Sequence, residues 1–370
     1  MIQTGSATIE GTSEYRKRMT RVLPEHFRKQ QTFWLSSIGL GTYLGHHDDT
    51  TDNSYRNAIS LAIQLGCNVI DTAINYRCQR SERAIGATLK ELFRDGKAKR
   101  EEIVIATKGG FIPYDNAPPI NHDRYIQQAF IDTGIISDSE IVARCHCLSP
   151  RYLAHQIENS LKNLGLETID IYYIHNPEMQ LEEISRDKFQ TRIRAAFEQL
   201  EKSVSEGKIG FYGTATWNGY RKPPAAVDYL DLSTIVALAQ EVGGQDHHFR
   251  FIQLPYSLAM PEAFTLENQR INDSTLSTVE ASHQLGITVM ASASIMQTRL
   301  AHNLPAEIRS HLSGLHTDAQ RSIQFVRSTP GIATALVGMS RTMHVEENMH
   351  TATLPPVELE EFLQIFGDSR

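Results

Sequence analysis

The hydrophobic positions of this chain fall into two alternating rhythms. Short apolar runs of strand length stand at residues 35–41 (LSSIGLG), 68–72, 103–108, 169–175 (IDIYYIH), 209–213, 251–254, 287–291 and 333–337. Between them lie segments whose apolar residues are three or four apart, the spacing that places one stripe on a helix. The first covers residues 53–65, with Ala58, Ile59, Leu61, Ala62 and Leu65 as its stripe and Gly66 as its stop. A second runs to Leu92 from Ser81, which reads as its N-cap. A third opens at Ser149-Pro150 and runs to Leu164, proline being suited to the first helical position. Further helices are expected over 193–206, 233–242 and 274–285, in a segment ending near Ser328, from Thr342, and over 357–366.

Eight strands in strict alternation with helices predict an α/β protein with a parallel sheet. An open doubly wound sheet would share this local pattern, but no G-x-G-x-x-G follows the first strand. The strand count and the polar strand ends described below favour a closed (β/α)8 barrel with long loops on the C-terminal face of the strands. No Gly-, Ser- or Pro-rich linker and no internal repeat divides the chain. The expected organisation is an N-terminal extension over 1–32, the barrel over 33–350, and a tail over 351–370 whose helix packs on the barrel. Two connections are unusually long. One spans 109–148 and holds Phe111, Tyr114, Tyr125, Phe130, His122 and His146; the other spans 217–232 and holds Pro223-Pro224. Both follow strand C-termini, so both are expected to shape a pocket. The longer one is expected to lid it and select the substrate.

Composition narrows the functional classes. Of 370 residues, 41% are hydrophobic and 21% charged, enough apolar side chain for a sizeable core. A net charge of -7 gives no global reason to expect nucleic acid. The basic cluster Arg16, Lys17, Arg18 and Arg21 reads as the solvated face of a helix on the barrel rather than a nucleic-acid arm. No secretory apolar segment and no membrane-length apolar run is visible, so a cytoplasmic protein without a membrane partner is expected. Cys67, Cys78, Cys145 and Cys147 match no common zinc or iron–sulfur spacing and read as free thiols; no metal is expected.

Three strand-like runs each end on a titratable group. VID ends on Asp71, with Tyr76 five residues on; IVIATK ends on Lys108; IDIYYIH ends on His175. Alone, each has an ordinary structural reading: a packed Tyr, a core His, an Asp at a turn. On consecutive strand ends of one barrel they converge, and their chemistry is complementary. A phenol with a pKa of about 10 is a poor acid near neutrality. Lys108 is expected to lower that value, Asp71 to hold Lys108 ionised, and His175 to orient a carbonyl oxygen. A phenol so placed suits a general acid for an alkoxide forming from that carbonyl.

These motifs resemble those of the aldo-keto reductase superfamily, over roughly residues 33–350. The resemblance is carried by GLGTY at 39–43, VIDTAINY at 69–76, SERAIG at 81–86, IATKGG at 105–110, IDIYYIHNP at 169–177, IGFYGTAT at 209–216, FIQLPYS at 251–257 and LVGMSRTMHVEEN at 336–348. It implies a TIM barrel that binds NADPH without a Rossmann motif, and an NAD(P)H-dependent carbonyl reductase or alcohol dehydrogenase acting on a small-molecule carbonyl or alcohol. Asp71, Tyr76, Lys108 and His175 become a catalytic tetrad. Thr42, Tyr43, Asp71, Thr216, Gln253 and Ser292 are placed near the nicotinamide and ribose. Ser340, Arg341, Glu347 and Asn348 are placed at the adenosine end, where Arg341 favours NADPH over NADH.

The chain also departs from the family pattern. Ala215-Thr216 stands for the usual Ser-Asn, Ser292 for a stacking Tyr, His344 for an Arg, and Ile295-Met296-Gln297 for Pro-Leu-Gly. These changes motivate an alternative: a cofactor-binding regulatory subunit on the same fold, like the potassium-channel β subunits, with little turnover. A metal-dependent hydrolase using His122, His146 and His175 is a third reading, weakened by the lack of a ligand pattern and by Lys108 nearby. A monomer or weak homo-oligomer is expected.

Overall fold

The computed structural model describes residues 2–367. Eight parallel strands close on themselves: β1 (Ile38–Gly41), β2 (Val69–Asp71), β3 (Val104–Gly109), β4 (Ile169–His175), β5 (Ile209–Ala215), β6 (Phe249–Pro255), β7 (Thr288–Ser292) and β8 (Ile332–Gly338). Each pairs with the next in sequence, and β8 pairs back on β1 through Ala335 and Ile38. One helix of the outer ring follows each strand: α1 (Asp49–Gln64), α2 (Arg80–Arg94), α3 (Pro150–Leu164), α4 (Arg186–Ser205), α5 (Leu232–Gly243), α6 (Thr278–Gln284), α7 (Asp318–Ser328) and α8 (Thr342–His350). This is the (β/α)8 TIM barrel expected from the alternation.

Period-two alternation sorts each strand into an inner and an outer face. In β4, Ile171 and Tyr173 belong to the inner core, while Tyr172 and Ile174 pack with the helices. In β3, Val104 and Ala106 point in and Ile105 points out; in β2, Val69 points in and Ile70 out. Counting on by two puts Lys108, His175 and Asp71 on the inner face at the C-terminal rim. Close strand approach has its own requirement: a Cβ on Gly213 of β5 would lie 1.8 Å from the Phe251 carbonyl oxygen of β6.

The other end of the barrel is plugged. The run expected as one strand over 35–41 is broken at Ser37. Phe33–Ser36 pairs antiparallel with Phe27–Gln30, and only Ile38–Gly41 enters the barrel. Gln31 in the left-handed region makes that hairpin turn. Phe33 caps the inner core against Phe211 and Phe251. Three of the four basic residues, Arg16, Lys17 and Arg18, end a helix, Ile9–Arg18, under this hairpin, and Arg21 lies beyond it: Arg16 stacks on Trp34 and Arg18 pairs with Glu102.

Other boundaries differ from expectation: α1 starts four residues earlier, at Asp49, and α4 seven residues earlier, at Arg186. Ser81 is not an N-cap; α2 starts at Arg80 after a left-handed Gln79, and the Ser81 hydroxyl donates to the Thr42 carbonyl at 2.9 Å. Residues 274–277 are not helical but pair with Glu267–Ile271 as a hairpin, and Ser277 then caps α6. The tail helix, Leu359–Gln364, packs Phe362 against Phe264 and Phe325. No helix among the described residues is long and apolar enough to cross a membrane.

Candidate active site

The strand ends surround a cavity of about 570 Å³ at the C-terminal rim. Asp71, Tyr76 and His175 line it, and Lys108 lies buried beneath. The Lys108 Nζ donates to Asp71 Oδ2 and to the Thr72 carbonyl, both at 2.7 Å. It sits 5.0 Å from the centroid of the Tyr76 ring. The His175 ring meets that of Tyr76 edge-on with centroids 5.9 Å apart. The four groups, spread over 104 positions of chain (from 71 to 175), are thus gathered in one place.

Gln253 joins them: its Nε2 donates to Asp71 Oδ1 at 2.7 Å. Asp71 therefore has both oxygens engaged, one by the ammonium and one by a neutral amide.

The electrostatics correct one expectation. Lys108 does not bring the phenol down. Loss of water around the Tyr76 hydroxyl, with Asp71 and then Tyr43 adding to it, holds the phenol well above its usual value. Lys108 stacks on the ring face, and its charge is spent on Asp71. Burial lowers Lys108 while Asp71 pushes it back up. Burial, then the charge of Lys108, drives His175 well below the usual histidine range. The rim thus presents a protonated phenol and a neutral imidazole.

Thr42, Tyr43, Thr216, Gln253 and Ser292 also line the cavity. Tyr43 stands at its mouth, 55% exposed, against the Tyr76 ring. Thr42 donates to the Asp71 carbonyl through its amide (3.1 Å) and its hydroxyl (3.2 Å). Ser340, Arg341, Glu347 and Asn348 do not line it. They stand beyond β8, with Arg341 exposed at the start of α8 and Asn348 buried on that helix.

Several lining residues had no signal in the sequence. Asn75 and Asn176 border the cavity, as do Ala293, Ser294 and Thr298 after β7. That last loop is strained, with Ala293, Met296, Gln297 and Thr298 all at positive φ. Glu178, two residues beyond Asn176, accepts the backbone N–H groups of Trp217, Asn218 and Gly219 on one oxygen, at 2.6, 3.0 and 3.4 Å. It thereby pins the exposed Trp217 at the mouth.

The 109–148 segment is not a lid. Only Phe111 from it lines the cavity. Tyr125, Phe130 and Tyr152 stack edge-to-face in a separate small core with Ile112, Ile126 and Ile136. Its histidines are committed as well: His122 accepts from the Tyr114 hydroxyl and donates to the Arg144 carbonyl, while His146 is fully buried. Among the described residues no group of His, Cys, Asp or Glu is arranged to hold a metal ion.

Three polar atoms at the cavity have no partner among the described residues. Asn75 Oδ1, His175 Nδ1 and Thr216 Oγ1 are buried and unbonded, all on lining residues. Since buried polar groups are nearly always satisfied, this wall fits a polar ligand such as a nicotinamide nucleotide.

Comparison with known proteins adds to this geometry. The family model described as "Aldo/keto reductase family" matches residues 37–239. A putative voltage-gated potassium channel subunit beta of Schizosaccharomyces pombe is 24% identical over 342 residues, 88% of this chain and 87% of that protein. An NADH-specific methylglyoxal reductase of Escherichia coli is 29% identical over 186 residues, 49% of this chain and 48% of that one. A solved structure of an aldo/keto reductase from Klebsiella pneumoniae in complex with NADP and acetate superposes with a TM-score of 0.62 at 20% identity, covering 92% of this chain and 94% of that one. The holo form of an aldo-keto reductase from Bacillus halodurans gives 0.62 at 19% identity, covering 92% and 95%. At these identities the two structures speak for the fold.

Proposed function

The chain belongs to the aldo/keto reductase family, and on that premise we propose that it is an NADPH-dependent oxidoreductase reducing an aldehyde or ketone at the β-strand rim. The observation that carries this reading is the buried Lys108–Asp71 pair set under the Tyr76 phenol, itself facing an open cavity. When bound, the nicotinamide supplies the hydride. Tyr76 is the general acid: its phenol keeps its proton across the working pH range and passes it to the carbonyl oxygen as negative charge develops there. Lys108 packs beneath the ring and fixes its place, and Asp71 holds that lysine in position. His175, neutral, orients the carbonyl oxygen.

Thr42, Tyr43, Asp71, Thr216, Gln253 and Ser292 hold the nicotinamide and ribose end. The unbonded Thr216 hydroxyl is suited to the carboxamide, while Ala215 offers no side-chain bond. Ser340 and Arg341, with the first amides of α8, take the adenosine 2′-phosphate, and Glu347 and Asn348 follow on the same helix. The exposed Arg341 favours NADPH over NADH.

The cavity also speaks about the substrate. Tyr43, Phe111 and Trp217 give it aromatic walls, and among the described residues no Lys or Arg side chain lines it. A neutral, ring-bearing carbonyl compound suits it better than a phosphorylated sugar. Purified protein incubated with NADPH and a panel of aldehydes should consume the cofactor. Aromatic aldehydes should give a higher kcat/KM than glyceraldehyde 3-phosphate. Measurable NADPH binding with no turnover on any carbonyl would defeat this reading. It would favour a second one, a cofactor-binding regulatory subunit, supported by the altered Ala215 and Ser292 positions and the match to a named channel-subunit relative. That reading requires a stable complex with another protein.

A further inference from the structure

His175 poses a positioning problem. Its Nδ1 is buried without any partner, so no hydrogen bond within the protein at that atom fixes the plane of the ring. The ring must be set by its own main chain and by what packs against it. Both lead to His146. The His146 Nε2 lies 2.7 Å from the His175 carbonyl oxygen. The Phe111 ring stands edge-on to both imidazoles, 5.1 Å from His146 and 4.9 Å from His175.

The tautomer of His146 follows from its other neighbours. The Arg192 guanidinium of α4 can only donate, and it donates to Gln180 Oε1. This orients the Gln180 amide so that Nε2 donates to His146 Nδ1, at 2.8 Å. Nδ1 is therefore the acceptor, and the ring proton sits on Nε2, aimed at the His175 carbonyl. Burial, then Arg192, lowers His146 to about 4, so the ring stays neutral. The surrounding backbone is built for this ring. The Ile112 amide donates to the Cys145 carbonyl at 2.7 Å and the Cys147 amide to the Gly110 carbonyl at 2.9 Å, which crosses the two stems of the 109–148 segment at His146. Gly110, at φ +132, leaves the space; a Cβ there would come within 2.8 Å of His146 Nε2.

We infer that His146 is a positioning residue for His175: a one-directional hydrogen-bond chain from Arg192 through Gln180 and His146 fixes the His175 main chain and the Phe111 wall, and so aims the His175 imidazole at the substrate carbonyl. The long segment between β3 and α3 thus acts as a buttress behind the site. The inference rests on the proposed carbonyl reduction, and its test separates the two.

The test uses two variants of the full chain. His146→Phe keeps a ring but has no N–H, leaving the His175 carbonyl buried and unpaired; His146→Gln keeps a donor there. With 4-nitrobenzaldehyde and NADPH, His146→Phe should lose kcat on the order of ten- to a hundred-fold, the scale of a small misplacement at a reacting centre. NADPH affinity, read by quenching of tryptophan emission, should stay within about twofold, and His146→Gln should recover most of the lost kcat. Wild-type kcat in the Phe variant would overturn the inference, as would a Gln variant no better than Phe. Long-range ¹⁵N–¹H spectra of the histidine rings give a readout free of turnover. His146 should appear as the neutral Nε2–H tautomer, and the His175 ring signals should move in His146→Phe and return in His146→Gln. An Nδ1–H or charged His146, or unmoved His175 signals, would overturn it. If the wild type reduces no carbonyl, the functional reading fails, while these spectra still decide whether His146 positions His175.

Discussion

Two buried carboxylate–cation pairs stand at opposite ends of this barrel, and one of them faces the rim cavity. At the N-terminal end, Asp170 takes Arg100 on both oxygens at 2.9 Å and accepts the Ala7 and Ile105 amides at 2.7 Å each. Neither residue borders the rim cavity. This pair ties the N-terminal segment and β3 to the start of β4. At the C-terminal end, Asp71 takes Lys108 and Gln253, and its open side lines the cavity beside Tyr76. A buried ion pair by itself therefore says little about function. The surroundings separate the two: Asp71 opens on a space for a ligand beside Tyr76 and His175, and Asp170 does not border that space. So does the choice of cation. Arginine holds its proton under all ordinary conditions, as a structural tie requires, whereas lysine responds to its environment.

The comparison can be broken by substitution. Tyr76→Phe should have the largest effect. Removing the proposed general acid should cut kcat by about 10²- to 10⁴-fold, with the unfolding midpoint in urea and the NADPH affinity unchanged. Next comes Asp170→Asn, which strands an arginine that cannot shed its charge. A loss of roughly 3–5 kcal/mol in urea unfolding is expected, with kcat per folded molecule intact. Asp71→Asn should reverse that pattern. Lys108 can relieve its own burial by losing its proton, so stability should fall by only about 1–3 kcal/mol while kcat drops sharply. Equal stability losses for the two Asp variants would erase the distinction between tie and site.

Smaller effects concern pH. His146 is held at about 4 and His26, buried at the plugged end, at about 3, both depressed mainly by burial. A depressed histidine stabilises the fold above its unfolded value of about 6.5. That contribution is lost as pH falls from there toward the folded values. Thermal unfolding should therefore shift to lower temperature between about pH 6.5 and pH 4, before most carboxylates protonate. The groups proposed for catalysis behave differently. Tyr76 is raised and His175 depressed, so neither changes charge near neutrality. The kcat for carbonyl reduction should stay flat from about pH 6 to 9, while alcohol oxidation, which needs the phenolate, should rise with pH.

Much of the rim was legible because strand geometry is periodic. Once Ile171 and Tyr173 are inward, His175 must be inward too, and the same count places Asp71 and Lys108. The alternation of strands and helices likewise sufficed for the barrel. Boundaries were less legible. LSSIGLG has the apolar content of one strand, and only the left-handed Gln31 and the pairing of Phe27 with Ser36 reveal a hairpin plug. The aromatics of the 109–148 segment suggested a lid, but composition does not say which way a ring faces, and Tyr125 and Phe130 turn into a core of their own. Partners distant in sequence were invisible: Gln253 on Asp71 spans 182 positions, and Glu178 reaches residues 217–219. The Tyr76 phenol was misjudged for a related reason. Lys108 adjoins the ring, yet burial of the hydroxyl and the charge of Asp71 outweigh it.

The most direct measurement follows the reducing equivalent itself. With NADPH deuterated at C4 on the transferring face and an aldehyde in ordinary water, mass spectrometry should find one deuterium on the carbinol carbon of the product, and Tyr76→Phe should nearly abolish its formation. Product lacking the label on carbon, or labelled product formed equally fast without the Tyr76 hydroxyl, would contradict this account of the rim.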